Sequence, residues 1–308
     1  MCYNGDGGYD AGQRQDEARD MVRLCGAVSA ALLSISIPSP VLALSCAAIT
    51  DPQAQACCAH NAPRESLQQK IRLSASDDRG TLSEIRAELF WKRFKDGRAR
   101  ARIDLQEPAQ QSGTVVLLTE RESESGASTG EPEAILYKPG KHRDRLVTVS
   151  TLSGELFGTD FSYEDFAHFY GTNEDVTVER LQDAEQGGHR VLVLQSQPAD
   201  PELALEQGAT YTRIVTYLDA GRCVPLLTRF FEDDTLRKEL TAAETDIYRD
   251  GERWLVRRLL MHDLADGTST VLTVDKSAFE PALKDRFFRR SSLKRGIAGP
   301  QALWPLER

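Results

Sequence analysis

Residues 85–105 read I-R-A-E-L-F-W-K-R-F-K-D-G-R-A-R-A-R-I-D-L, and their pattern sets the fold class. Ile85, Ala87, Leu89 and Trp91 alternate with Arg86, Glu88 and Lys92, the two-residue period of a half-buried strand. Phe90 and Phe94 interrupt the polar side, so that face is expected to be partly covered too. Lys95-Asp96-Gly97 makes a tight turn, with Gly97 free to take positive φ. Ala99, Ala101, Ile103 and Leu105 then alternate strictly with Arg98, Arg100, Arg102 and Asp104. Two such runs around a short turn form an antiparallel hairpin. Its arginine row reads as a solvated outer face, with Glu84 and Glu88 as cross-strand partners. An anion- or headgroup-binding strip is the alternative reading of the same row.

The alternation extends outward in both directions. It begins at Ile71, and residues 61–69 before it read as a linker or short helix. Residues 113–119 are almost continuously apolar, the mark of a strand covered on both faces. Residues 121–132, rich in Ser, Gly and Glu, read as a loop. Strands are expected at 134–138, 145–149, 177–181 and 189–195, and Asp200-Pro201-Glu202 with Gly208 brackets one short helix. Strands continue at 212–218, 226–232, 236–246, 254–262 and 268–274. Residues 279–290, carrying Phe287 and Phe288, dock as a short segment or helix. About ten strands with short connections make a mainly β chain built on one large curved antiparallel sheet. Its hydrogen-bonding edges must be closed or covered, which favours a barrel or half-barrel with a cavity where helices do not fill it.

One stretch breaks the strand pattern. Residues 154–171 read G-E-L-F-G-T-D-F-S-Y-E-D-F-A-H-F-Y-G and hold six of the chain's 22 aromatic residues. Asp160 and Ser162 are short acceptors suited to capping a helix, and Glu164 and Asp165 place negative charge on its first turn. The helical repeat sets Tyr163, Phe166 and Tyr170 on one face with Phe169 close by. Two readings stay open here: a short helix plugging the end of a β core, or a lid over an apolar ligand cavity. As a cavity lining the candidates are Phe157, Phe161, Tyr163, Phe166 and Tyr170; Gly158, Thr159, Asp160, Ser162, Glu164 and Asp165 frame them.

Tyr137-Lys138-Pro139-Gly140, Arg145 and then the string from Phe157 to Asp165 resemble the outer-membrane lipoprotein-sorting proteins of LolA-like fold. Residues 211–219 followed by Pro225-Leu226, the strand at 226–232 and Asp285-Arg286-Phe287-Phe288 add to the match, which covers roughly residues 71–294. The charged run 141–145 and the insert 121–132 depart from that pattern. The resemblance implies a LolA-like half-barrel, its concave face roofed by a few short helices and holding the acyl chains of lipid or lipoprotein. It further implies company with an inner-membrane exporter of the RND or MMPL type. The alternative is a non-catalytic interaction or sensor module that contacts an exporter or signalling protein.

The beginning of the chain speaks for export. Met21-Val22-Arg23 is followed by an uncharged apolar run from Leu24 to Ile37, by Pro38 and Pro40, and by small residues around Ala43 to Ser45. That order is a signal peptide, with Met21 as the expected start and cleavage after Ala43 or Ser45. An uncleaved anchor is the alternative, as is a lipid on Cys46. The periplasm follows as the expected location. Residues 1–45 are thus extension and signal, 46–70 a flexible linker, 71–294 the half-barrel and 295–308 a tail. An oxidising compartment favours a bridge from Cys46 to Cys57 or Cys58.

Several functions are disfavoured on residue chemistry. A formal charge of −9 speaks against nucleic acid as a partner, since phosphates need a clustered cationic surface. His60, His142, His168, His189 and His262 are scattered, and no H-E-x-x-H, G-x-S-x-G or P-loop string occurs. Cys57, Cys58 and His60 lack the second pair of ligands a zinc site uses. Ser162, Asp165 and His168 are a triad's residue types, but Ser162 at a cap has its hydroxyl engaged by backbone amides; His168 is expected on the lid's surface. The reading is therefore a non-enzyme without metal or cofactor.

Overall fold

The computed structural model describes residues 49–76, 80–120, 133–139, 143–147, 156–169, 176–206 and 208–293. The signal-like residues 21–45, Cys46, the insert 121–132, Tyr170 and the tail 295–308 lie outside these. The described strands are β1 Ser66–Ser76, β2 Leu82–Arg93, β3 Ala99–Glu107, β4 Val115–Thr119, β5 Glu133–Lys138, β6 Arg143–Val147, β7 Val176–Arg180 and β8 Ala184–Gln186. They continue with β9 His189–Pro198, β10 Arg213–Asp219, β11 Pro225–Glu232, β12 Thr235–Thr241, β13 Ile247–Asp250, β14 Arg253–Val256, β15 Arg258–Asp263 and β16 Thr268–Phe279. Among the described residues four short helices accompany them: α1 Pro52–His60, α2 Tyr163–Phe169, α3 Pro201–Glu206 and α4 Arg290–Leu293.

Fourteen strands form a single sheet in the order β6-β5-β4-β3-β2-β1-β16-β15-β12-β11-β10-β9-β7, with β8 paired to β9, while β13 and β14 pair separately. Each strand pairs with a near neighbour in the chain except at one place: β1 and β16 meet in the middle of the sheet, antiparallel, from Leu67↔Phe279 to Ser76↔Ser269. The sheet is therefore two meanders zipped together by the first and last strands. It is mainly β and antiparallel as expected; the strands read as 236–246 and 254–262 are each interrupted. Residues 244–246 form a 3-10 turn between β12 and β13, and β14 ends at Val256 before β15 begins at Arg258.

The alternation in β2 and β3 predicts the inner face correctly. Ala87↔Leu105, Leu89↔Ile103 and Trp91↔Ala101 stand opposite one another, so the small Ala101 sits across from the indole of Trp91 in a cross-strand pair. These residues join Ile85, Val116, Leu118 and Ala134 in the largest core cluster. The intervening Phe90, Val115, Leu117, Ile135 and Tyr137 form a second core on the outer face, closed by Leu283, Phe287, Phe288 and Leu293. β4 is buried on both sides, as its unbroken apolar run requires.

The arginine row departs from expectation at its last member. Arg102 is completely buried because the docked segment at 285–293 lies over it. Its guanidinium donates to both Asp104 carboxylate oxygens at 2.6 and 2.8 Å, to the Phe287 carbonyl at 2.9 Å and to Ser292 Oγ at 3.2 Å, and it stacks 4.1 Å from the Phe287 ring. Burial pushes the Asp104 carboxyl up even as Arg102 holds it down. Glu84 pairs with Arg86 of its own strand, and Glu88 with Lys70.

Residues 46–70 are no flexible linker where described. Asp51 accepts the Ala54 amide at 2.8 Å and caps α1, and Ala54, Cys57 and Cys58 pack with Val178, Leu192, Leu194 and Leu218. Residues 66–70 already belong to β1. Of the expected bridges from Cys46 to Cys57 or Cys58, the one to Cys57 is corrected: Cys57 bonds to Cys223, 166 residues away. Cys58 is disulfide-bonded too. Asn61, at the end of α1, donates to the Arg222 and Cys223 carbonyls at 2.8 Å each and accepts the Trp254 amide at 2.8 Å. α1 is thus stapled to the β10–β11 turn and to the β13–β14 ribbon. Among the described residues no helix is long and apolar enough to cross a membrane.

Candidate functional site

The inner face is filled at its centre by residues 156–169, the aromatic stretch. It begins with a reversal. Thr159 N donates to the Leu156 carbonyl at 3.2 Å with Phe157 at φ 58 and Gly158 at φ 78 between them, both central residues left-handed as in a type I′ turn. Gly158 takes that conformation freely, whereas Phe157 is held there by its surroundings, its ring 6.4 Å from that of Tyr163. Thr159 Oγ1 donates back to the Leu156 carbonyl at 2.8 Å.

α2 then starts where the sequence places it. Ser162 Oγ accepts the Asp165 amide at 3.1 Å while an Asp165 carboxylate oxygen accepts the Ser162 amide at 2.7 Å, a reciprocal capping box. Asp160 is not a cap. Its carboxylate accepts the Thr268 hydroxyl and, at 2.5 Å, the Thr270 hydroxyl, and its own amide donates to Thr270 Oγ1 at 2.9 Å. Those threonines lie on β16, so Asp160 pins the turn to the strand that joins the two meanders. Glu164 likewise leaves its own helix, accepting the backbone amides of Thr210 and Tyr211 at 3.0 and 3.3 Å.

Asp165 is the hub of this network. It has no exposed surface, accepts the Tyr211 hydroxyl at 2.9 Å and faces Lys238 Nζ at 3.4 Å, while Lys238 also donates to the Asp160 carbonyl at 2.7 Å. A charge buried this deeply needs a partner and hydrogen bonds together, and both are supplied. Burial pushes the Glu164 carboxyl up to about 7 against the pull of the two amides, and lowers the His168 ring to about 4. His168 is buried 6.2 Å from the Phe230 ring, correcting its expected place on a lid surface. The triad reading has no geometry behind it: the Ser162 hydroxyl holds the Asp165 amide, and Asp165 holds Tyr211 and Lys238.

The aromatic candidates divide. Phe161 is 0% and Phe166 1% exposed, and with Tyr163 and Leu156 they belong to the largest core cluster; Phe157 is partly buried against it. Tyr170 lies outside the described residues. Sequence reading missed Lys238, Tyr211, Thr268 and Thr270. A signal for Lys238 exists in T-L-R-K-E-L-T, where it shares a strand face with Leu240 and so points inward as a charge.

An open antiparallel sheet whose inner face is closed by a turn and a short helix is the LolA-like architecture, and solved structures share it. A domain from Vibrio parahaemolyticus named for outer-membrane lipoprotein sorting superposes with a TM-score of 0.67 at 23% identity, over 79% of this chain and 97% of that one. A DUF1329 family protein from Desulfovibrio piger gives 0.68 at 18%, over 78% and 96%. A LolA superfamily protein from Nitrosomonas europaea gives 0.58 at 17%, over 75% and 93%. A protein-family model described as "Uncharacterized protein"-like matches residues 97–295, more than half of the chain, and the chain belongs to that family. No curated protein matches it in sequence.

Proposed function

We propose that this protein is a non-catalytic periplasmic carrier or chaperone that binds lipid or acylated lipoprotein on the inner face of its half-barrel, alongside an inner-membrane exporter of the RND or MMPL type. The observation that carries the reading is the inner face itself, an apolar surface running from β5 through β16 to β11 and closed by a seven-residue helix rather than by further strands. An acyl chain would take over contacts that Leu156, Phe157, Phe161, Tyr163 and Phe166 now make there, as apolar pockets receive apolar ligands. The signal-like residues 21–45 support export, and processing predicts a mature chain beginning near Cys46. Lipid extraction and mass spectrometry of protein recovered from the periplasm tests the reading: a co-purifying amphiphile supports it, and a lipid-free protein that takes up no acyl probe removes it.

One observation favours a second reading. Phe161 and Phe166 already fill the centre of the inner face, which suits a non-catalytic interaction or sensor module contacting a membrane exporter or signalling protein. Such a module would pull down its membrane partner while remaining free of lipid.

A further inference from the structure

At the edge of the inner face, beside the turn at Phe157 and Gly158, lies a half-open cavity of about 200 Å³. It is bounded by Ser76, Thr81 and Ser83 from the β1–β2 hairpin, by Thr159 and Asp160 of the turn, and by Thr268 of β16. Its volume is that of about seven liquid waters and below that of a drug-sized ligand pocket, so it suits one small group. The wall mixes side-chain oxygens with apolar atoms, and the sole charged residue among the described residues lining it is Asp160, which is 7% exposed.

The hydrogen-bond inventory gives the chemistry. Thr159 Oγ1 spends its proton on the Leu156 carbonyl, and Thr268 Oγ1 spends its proton on Asp160. Both hydroxyls are therefore left with lone pairs, and an ionised carboxylate has only lone pairs to offer. Gly158 borders the cavity, and a Cβ there would meet nothing within 4 Å. The lone pairs of Thr159, Thr268 and Asp160, with the one carboxylate among them, match a guest that brings donors and positive charge. We propose that this cavity is a binding site for a primary alkylammonium group. Its source is a phospholipid head such as ethanolamine or a free small amine. It rests on the carrier reading only for the lipid as source.

The test titrates ethanolamine, short-chain phosphatidylethanolamine and short-chain phosphatidylglycerol into the full-length protein, followed by calorimetry and by the methyl signals of Ala75, Thr159 and Thr268. Phosphatidylethanolamine is expected to bind at least tenfold more tightly than the glycerol lipid of the same chain length, and free ethanolamine to bind measurably. A lipid source gives phosphatidylethanolamine the tighter binding, a free amine gives the two equal affinity. Ser83→Trp, at an exposed strand position, fills the cavity and should lower ammonium affinity at least tenfold; Thr81→Arg, also exposed, supplies a tethered cation and should do the same if the first variant fails to fold. Equal binding of both lipids, no binding of either amine, or undiminished affinity in a folded variant overturns the site. Uptake of an acyl probe by the unmodified protein is read separately. Ammonium binding without acyl uptake keeps the site and removes the carrier, and the reverse keeps the carrier and removes the site.

Discussion

Asp165 and Lys238 concentrate the energetics of the α2 attachment in one buried pair. Removing one partner leaves the other charged, buried and short of hydrogen bonds, so Asp165→Ala is expected to cost about 3–5 kcal/mol. Ser162→Ala removes only a cap and should cost about 1 kcal/mol. Urea denaturation of the two variants reads the difference, and Lys238→Met added to Asp165→Asn should recover part of the loss. Equal shifts in midpoint would show that Asp165 acts as a cap alone.

Glu164 and His168 set opposing pH dependences. The Glu164 carboxyl, raised from 4.5 to about 7, holds in the folded state a proton that the unfolded chain has already lost. Its contribution is fully present below pH 4.5 and is lost as pH rises through about 7. The His168 ring, lowered from 6.5 to about 4, contributes stability that is present above pH 6.5 and lost as pH falls through about 4. Melting temperature against pH should therefore peak between these limits, and Glu164→Gln should flatten the decline toward neutrality while leaving the acid limb in place. A neutral limb unchanged in Glu164→Gln would assign that decline to another group.

At the scale of the element, α2 is short and its seven residues make few helical hydrogen bonds, so tertiary packing must hold it. Phe161 and Phe166 lie with ring centroids 5.8 Å apart in the inner-face core. Truncating either to Ala is expected to cost about 3–5 kcal/mol, and the double variant should melt far below the parent protein. Thermal unfolding followed by circular dichroism checks this. A double variant that keeps its melting point but no longer takes up a fluorescent acyl probe would instead identify a loosely packed lid.

Across the whole molecule the two meanders are joined by β1–β16 and again by the Cys57–Cys223 bond, which spans 166 residues. Closing a loop of that length in the unfolded chain is worth about 5 kcal/mol on the chain-entropy estimate. Cys57→Ala with Cys223→Ala should lower the melting temperature and detach α1 from β9 and β10, seen as faster amide exchange in residues 52–60. Unchanged exchange there would mean that Asn61 and the apolar contacts of α1 hold it without the bond.

The sequence by itself determined what depends on near neighbours. Strand alternation, the Gly97 turn, the Ser162 cap and the doubly covered β4 were legible because each is written in a period or a spacing of a few residues. What only the tertiary structure decided depends on which distant segments meet. Arg102 looked solvated because nothing in the local pattern says that Phe287 and Ser292 lie over it. Asp160 looked like a cap because its threonine partners are more than a hundred residues away on β16. Spacing alone offered Cys57 or Cys58 to Cys46, but a disulfide forms between sulfurs that the fold brings together, and the fold brings Cys223 to Cys57. The bonds of Asp160 and Glu164 in the aromatic stretch were not legible for that same reason: burial, and not sequence, selects the partners of a charge.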